Sequence, residues 1–293
     1  MREPESITEI IQELRKADLS MLDPQNVKEK LMLLGPVAVV MFTISKGRSI
    51  YRARKHNSDM LIIHPEGLSY RRDIESIGIG RANPVGFPVF YGAISSDEVP
   101  EGYIFSAYET SRLTREGMNG VATLTISKWD VVKDFEVVAI VTNPAYHQGF
   151  KLSAAMAKDH EDYIQKQFEQ TSEQQRLVAQ FIGEQYAQKV LKGAEKKYQI
   201  TAEVSRRLYE LGAPGIAYPS VQSEYKGFNV ALLPSTVDKY LKFDAALLTQ
   251  LARDGKNLEL RQYQIALNFD GKYLKYQLMP PEFALFKPYV KHK

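Results

Sequence analysis

Five short stretches of this 293-residue chain place chemically able side chains in unusual settings. Tyr51-Arg52-Ala53-Arg54 ends an otherwise apolar strand, and Gly80-Arg81-Ala82-Asn83-Pro84-Val85-Gly86 holds an arginine and an asparagine in a glycine-rich loop. Val89-Phe90-Tyr91-Gly92-Ala93 sets a tyrosine among small residues on a strand. Ser106-Ala107-Tyr108-Glu109 puts an acid on a short helix, and Gly215-Ile216-Ala217-Tyr218-Pro219-Ser220 puts a serine just past a strand end. The groups on offer are guanidinium, phenol, carboxylate and hydroxyl. Taken singly, each has an ordinary alternative. Arg52 and Arg54 can reach solvent or an acid, Arg81 can bond carbonyls, Tyr91 can fill core with its hydroxyl satisfied, Glu109 can face water, and Ser220 can cap a turn.

Several kinds of chemistry are excluded outright. Cysteine is absent, which removes disulfides, thiolate metal sites, iron–sulfur clusters and cysteine nucleophiles, and suits a reducing cytoplasm. The histidines His56, His64, His147, His160 and His292 show no metal-ligand spacing, so no metal is expected. No Gly-x-x-x-x-Gly-Lys-[Ser/Thr] loop, His-Glu-x-x-His pair or Gly-x-Ser-x-Gly elbow is present. Gly78-Ile79-Gly80 begins like a dinucleotide fingerprint but lacks the third glycine and leads into a strand instead of a helix.

The elements that must hold these stretches follow from periodicity and punctuation. Ser6 with Glu9 forms a capping-box pattern ahead of Ile7, Ile10, Ile11 and Leu14, and Asp23-Pro24 opens a second helix that Gly35 stops. Val37–Ile44 and Ser49–Ala53 are expected as strands, as is Val89–Tyr91 after the punctuated 78–88 loop. Val121–Ile126 and Val137–Thr142 are expected as a strand pair. Lys151 to Leu211 is mostly helical, with one apolar face at Leu177, Val178, Phe181 and Ile182 and another at Val204, Leu208 and Leu211. Strands follow at 215–220 and 229–233, then a hairpin of Leu258–Phe269 and Lys272–Leu278 around Asp270-Gly271. Helices and strands are interspersed without βαβ regularity, which predicts an α+β fold.

Composition bounds the partners. Lys+Arg total 38 against 35 Asp+Glu, a net charge of +3, and the clusters at Lys46–Lys55, Arg71–Arg72 and Lys192–Lys197 are expected to be solvated surface, so no nucleic acid is expected. The uncharged run Leu31 to Ile44 is broken by Gly35-Pro36 and falls short of the ~20 residues a membrane span needs, so no membrane association is expected. With no signal peptide in the opening residues, a cytoplasmic protein is predicted.

Taken together and in order, these stretches resemble the RES-domain family, whose typical members are toxins of bacterial Res–Xre toxin–antitoxin pairs. The resemblance lies in the arginine-bearing strand Tyr51-Arg52, the Gly-Arg-x-Asn-x-x-Gly loop from Gly80 to Gly86, and Tyr91 ten residues after Arg81. Gly215-Ile216-Ala217-Tyr218-Pro219-Ser220-Val221 with Asn229-Val230-Ala231-Leu232 completes it, so it runs from about Tyr51 to Pro234. It implies an ADP-ribosyltransferase-like split β-sheet core with flanking helices, bounded here by an N-terminal helical segment over 1–36 and a C-terminal β-hairpin extension over 241–293. The core itself would run over 37–240 as the NAD-binding domain, with a helical insertion near 151–200.

The resemblance further implies an enzyme that consumes NAD⁺ by cleaving the nicotinamide–ribose bond, transferring ADP-ribose to water or phosphate. The alternatives are an ADP-ribosyltransferase acting on a macromolecule and a catalytically silent relative that binds a nucleotide or a partner. In this picture Arg52 and Arg81 meet the pyrophosphate, with Asn83 in the same loop. Tyr91 stacks on the nicotinamide or its ribose, Glu109 stabilises the developing cation, and Ser220 holds Glu109 or the ribose. A separate antitoxin protein would be the partner of a toxin. Two departures stand out: Ala82 sits where the family carries an aromatic or bulky residue, and an insertion at Ser95–Gly102 makes Glu101 a rival acid to Glu109.

Overall fold

The computed structural model of the protein describes residues 6–56, 61–95, 102–143, 146, 151–225, 227–267, 273–278 and 289–291. In chain order the elements are α1 (Ile7–Lys16), α2 (Pro24–Leu33), β1 (Val40–Ile44), β2 (Ser49–Lys55), β3 (Phe90–Ile94), α3 (Gly102–Thr110) and α4 (Arg112–Arg115). Then come β4 (Gly120–Val131), β5 (Phe135–Ala139), α5 (Lys151–Gln167), α6 (Ser172–Ala187), α7 (Gln199–Glu210), β6 (Gly215–Pro219) and β7 (Phe228–Leu232). The chain closes with α8 (Pro234–Tyr240), β8 (Leu241–Asp254), β9 (Asn257–Leu267), β10 (Gln277–Leu278) and β11 (Tyr289–Lys291). Helices and strands alternate irregularly, so the fold is α+β.

The chain divides into two compact units, each drawn from three stretches. One comprises Met1–Phe42, Asp73–Pro88 and Val137–Pro219, the other Thr43–Arg72, Val89–Glu136 and Ser220–Lys293. The first unit is helix-rich. In α1 the Ser6 hydroxyl accepts from Glu9 N (3.2 Å) while Glu9 Oε2 accepts from Ser6 N (2.8 Å), the reciprocal cap its sequence predicts. Asp23 caps α2 ahead of Pro24, and Gly35 ends the turn after it with φ +76°, a conformation that favours glycine. In the same unit β5 runs parallel to β6, with Val138 opposite Ile216.

The second unit is a sheet in the order β7-β3-β2-β4-β8-β9-β10, with β11 also on β9. Among the described residues its strands pair antiparallel throughout. The expected pairing of Val121–Ile126 with Val137–Thr142 is not what forms. β4 instead takes β2 and β8 as partners, and β5 takes β6. β8 was not legible as a strand, because its apolar residues run on without strict alternation. It is a central strand, turning at Asp254-Gly255 into β9. The expected turn at Asp270-Gly271 lies outside the described residues, while β10 does pair with β9 through Gln277 opposite Ile265.

The register of β2 fixes which side chains share a face. Tyr51 lies opposite Ala93 and Lys128, and Arg52 lies opposite Ser127. Strand alternation therefore puts Tyr51 and Ala53 on one face and Ile50, Arg52 and Arg54 on the other. The first face receives α3: Tyr103, Ile104, Ala107 and Tyr108 pack with Tyr51, Ala53, Leu124, Ile126 and Leu247 in one buried cluster. Tyr51 meets Tyr103 edge-on at 5.9 Å.

Gly102 lets α3 begin this close to the sheet. A Cβ there would stand 2.9 Å from Ser95 N and 3.1 Å from both Ile94 C and Tyr51 Cδ2. Two of these neighbours are backbone and cannot swing away. Gly102→Ala should therefore destabilise the protein by roughly 1–3 kcal/mol, the usual cost of overpacking, measured as a lower urea midpoint with an unchanged slope. An unchanged midpoint would show that the approach of α3 is not limited here.

Candidate functional site

Glu109 occupies the last turn of α3, half-buried, and three donors converge on one of its oxygens. Ser220 Oγ donates to Oε1 at 2.5 Å, Asn229 Nδ2 at 3.0 Å and the Gln222 backbone N–H at 3.3 Å. Ser220 is fully buried and Asn229 nearly so, at 6% exposure. A carboxylate oxygen accepting three donors is held in place. Among the described residues none donates to Oε2, so that oxygen stays open.

The loop that supplies Ser220 is built to hold it. Ser220 N donates to Gly227 O (2.8 Å) and Tyr225 N donates back to Ser220 O (2.9 Å). Ser223 Oγ also donates to Ser220 O (3.1 Å). Glu224 and Tyr225 take φ of +56° and +65°, a left-handed pair that is uncommon outside glycine and stores strain. Gly227 closes the loop under α3, since a Cβ there would lie 2.8 Å from the Phe105 ring. Acid and hydroxyl are thus fixed to each other by packing as well as by their hydrogen bond.

Tyr91 shares the sheet face that α3 covers. It lies opposite Ala231, two residues from Asn229 on β7, and Ala93 lies opposite Asn229. Tyr91 and Asn229 are therefore diagonal neighbours, roughly 7–8 Å apart and within reach of a tyrosine side chain. Arg52 projects from the other face. Its Nη1 donates to Tyr91 O (2.7 Å), and its guanidinium lies over the Phe90 ring at 5.1 Å. Its buried Nε has no hydrogen-bond partner, and the same holds for Arg54 Nε. Burial first, then the charges of Arg54 and Arg71, push the Arg52 guanidinium down to about 9, against a small opposing contribution from Tyr91. Arg54 is lowered as well, by burial and by Arg71. These cations stand close enough to repel one another, and that is a setting an anion would relieve.

Arg81 and Asn83 belong to the other unit. Arg81 Nη1 donates to Tyr186 O, Nη2 donates to Gln188 O (2.8 Å), and the guanidinium lies 5.0 Å from the Tyr198 ring centroid. Those carbonyls are at the C-terminal end of α6, where unpaired carbonyls and the helix dipole favour a cation. Asn83 Nδ2 donates to Gly78 O (2.9 Å) and Pro84 O (2.8 Å), and Gly80 and Asn83 form a bridge, so the 78–86 loop is closed by its own asparagine. Ala82 is fully buried, and Tyr209 donates to its carbonyl (3.1 Å) while stacking on Phe87. The rival acid Glu101 lies outside the described residues.

The structure therefore brings Glu109 and Ser220 into contact, adds Tyr91 on the same face, and turns Arg52 to the opposite face. Asn229 and the Gln222 N–H had no role assigned from sequence. The signal for Asn229 was an amide inside the apolar run Phe228–Leu232, which must find a partner once buried. Among the described residues, no cluster of three or more His, Cys, Asp or Glu gathers as metal ligands, and no helix is long and apolar enough to cross a membrane.

A family model described as RES domain matches residues 138–251, which supports the RES-domain assignment. The matched segment contains Ser220, Gln222 and Asn229. No curated protein matches the chain.

The electrostatics of Arg52 generate a prediction with a definite sign. Folded, Arg52 releases its proton at about 9, whereas the unfolded chain keeps it to a distinctly higher pH. Between those values the unfolded state binds more protons, so this group's contribution to stability rises with pH, and its charge costs most below the folded value. Arg52→Met should melt higher relative to wild type near pH 8 than near about pH 10.5, where the wild type has shed the charge. A difference in melting temperature that does not change with pH would show that the guanidinium is well solvated.

Proposed function

We propose that this RES-domain chain consumes NAD⁺ by breaking the bond between nicotinamide and ribose, with Glu109 as the carboxylate beside the reacting sugar. The observation that carries this reading is the convergence of Ser220, Asn229 and Gln222 on Glu109 Oε1. An acid held by three donors, with its second oxygen left over, is pre-organised for an electrostatic task. The RES family relates to NAD and to Res–Xre toxin–antitoxin systems, and this supports NAD as the substrate.

The chemistry asks little more of the protein. The C1′–nitrogen bond of NAD⁺ breaks with both electrons leaving on nicotinamide, which departs neutral. The positive charge passes to the ribose as an oxocarbenium-like centre. Glu109 Oε2 lies against that centre and lowers the barrier, as a carboxylate does in glycoside cleavage. Water then adds to C1′ and gives up one proton, so the products are ADP-ribose, nicotinamide and H⁺. Tyr91, on the Glu109 side of the sheet, offers its ring to the nicotinamide or the ribose. Ser220 acts through Glu109 as a positioning residue.

Two arginines are candidates for contact with the dinucleotide phosphates. Arg52, with an unpartnered Nε beside Arg54 and Arg71, is one candidate. Arg81, with Asn83, is the other. Because Arg81 also clamps the end of α6, Arg81→Ala should raise KM and lower the melting temperature together. A normal melting temperature with a raised KM would mark a contact to ligand alone.

The test is release of nicotinamide from NAD⁺ by the purified protein, followed by chromatography. Glu109→Gln should slow release on the order of 10²-fold or more with little change in nucleotide affinity, as loss of a transition-state electrostatic partner does. Ser220→Ala should lower kcat and leave KM nearly unchanged. Equal rates for wild type and Glu109→Gln would remove Glu109 from the chemistry. Release only in the presence of a protein acceptor that becomes modified would make the enzyme a transferase instead of a hydrolase.

A further inference from the structure

The helix-rich unit contains an open cavity of about 740 Å³ that the chemistry above does not use. Its walls come from α2, the 34–39 segment, the end of β5, His160 of α5 and helices α6 and α7, all within that unit. The apolar stripe that the sequence marks on α7 faces it. Val204 and Leu208 are only half-buried there, and Leu211 is 76% exposed, beside Met32 at 61%. An apolar stripe that the fold leaves uncovered along a preformed cavity of this size is what a small-molecule site looks like.

The polar groups of the cavity identify the ligand. Thr142 Oγ1 donates to Ala179 O (2.5 Å), and His160 Nε2 bonds Ala38 O (3.0 Å), so both are already satisfied within the wall. Glu203 and Glu210 are both taken by Arg206. Two charges remain at the lining, Lys28 and Arg207, with no carboxylate partner among the described residues; Arg207 makes only a long 3.5 Å contact to Leu31 O. The interior therefore accepts apolar atoms, and the groups still open to a ligand are cations. A second hollow of about 430 Å³ shares Thr142, His160 and Ala179 with the first and leaves room for an extended body.

We propose that this cavity binds a small amphipathic anion, an acyl chain with a single carboxylate, its tail against Ile182, Val204 and Leu208 and its head on Arg207 and Lys28. The site uses residues of the helix-rich unit alone and does not depend on the NAD⁺ reading.

Decanoate, kept below its micellar concentration, is the probe, with decanol as its uncharged counterpart, titrated calorimetrically into the full chain. Decanoate should bind saturably at one site and more tightly than decanol. The Lys28→Gln/Arg207→Gln double variant should weaken decanoate by roughly tenfold or more, the loss expected of charge-assisted hydrogen bonds, and leave decanol unchanged. Leu208→Trp, a change at a half-exposed position, should intrude on the tail's place along α7 and weaken both, while Glu109→Gln should bind decanoate like wild type. Equal binding of decanoate and decanol to wild type, binding unaffected by Leu208→Trp, or no binding of decanoate would each overturn the proposal. So would a concentration-dependent dimer that Leu208→Trp dissolves and decanoate does not touch, because it would assign the stripe to a second copy of the chain.

Discussion

The two-residue alternation of β2 governs what the sheet unit can do. The strand pairs with β4 along its length and with β3 at Ile50 and Tyr51, and each of its residues has only two faces to choose between. Tyr51 and Ala53 go to the face that α3 covers, and Ile50, Arg52 and Arg54 go to the other. With Tyr51 and Tyr103 locked edge to face and Gly102 permitting close contact, α3 has one seat. That seat delivers Glu109 to Ser220 and Asn229. A shift of β2 by one residue would exchange the faces and put guanidinium groups where α3 needs core.

Two kinds of cost are concentrated around this arrangement. The loop after Ser220 accepts left-handed backbone at Glu224 and Tyr225, and it is kept in place by hydrogen bonds to Ser220 and by the Phe105 ring over Gly227. On the opposite face Arg52 keeps its charge against burial and against neighbouring arginines. Neither feature helps folding.

The helix-rich unit handles its arginine differently. Arg81 leaves the glycine-rich loop to meet carbonyls at the end of α6 and the ring of Tyr198, while Asn83 closes the loop from inside. The same residues that make the loop recognisable in the sequence also make it a structural clasp. Elsewhere in the unit, the stripe of α7 beyond Ile200 is apolar without being core, and it lines the open cavity.

Much of the local structure was legible without coordinates, because it depends on neighbours a few residues apart. The Ser6–Glu9 capping box, the Asp23-Pro24 start, the strands around Arg52 and Tyr91, and the long helical stretch after Lys151 are of this kind. The Glu109–Ser220 contact was within reach only through family resemblance, since the two residues are 111 positions apart. Asn229 joined them unannounced, as a buried amide that needed an acceptor. Strand partners were harder. β4 and β5 are close in sequence and pair elsewhere, and β8, for which no strand was expected, lies between β4 and β9.

By itself the sequence determined most element types, several helix ends, the absence of thiol chemistry and the polar side chains on offer in otherwise apolar or glycine-rich settings. Those follow from short-range sterics, capping and composition. Only the tertiary structure decided which face each residue of β2 takes, which oxygen of Glu109 is held, which carbonyls capture Arg81, and that the α7 stripe lines a cavity. These depend on register and on packing between distant segments, where a single residue of offset reverses the outcome and no local pattern records the choice.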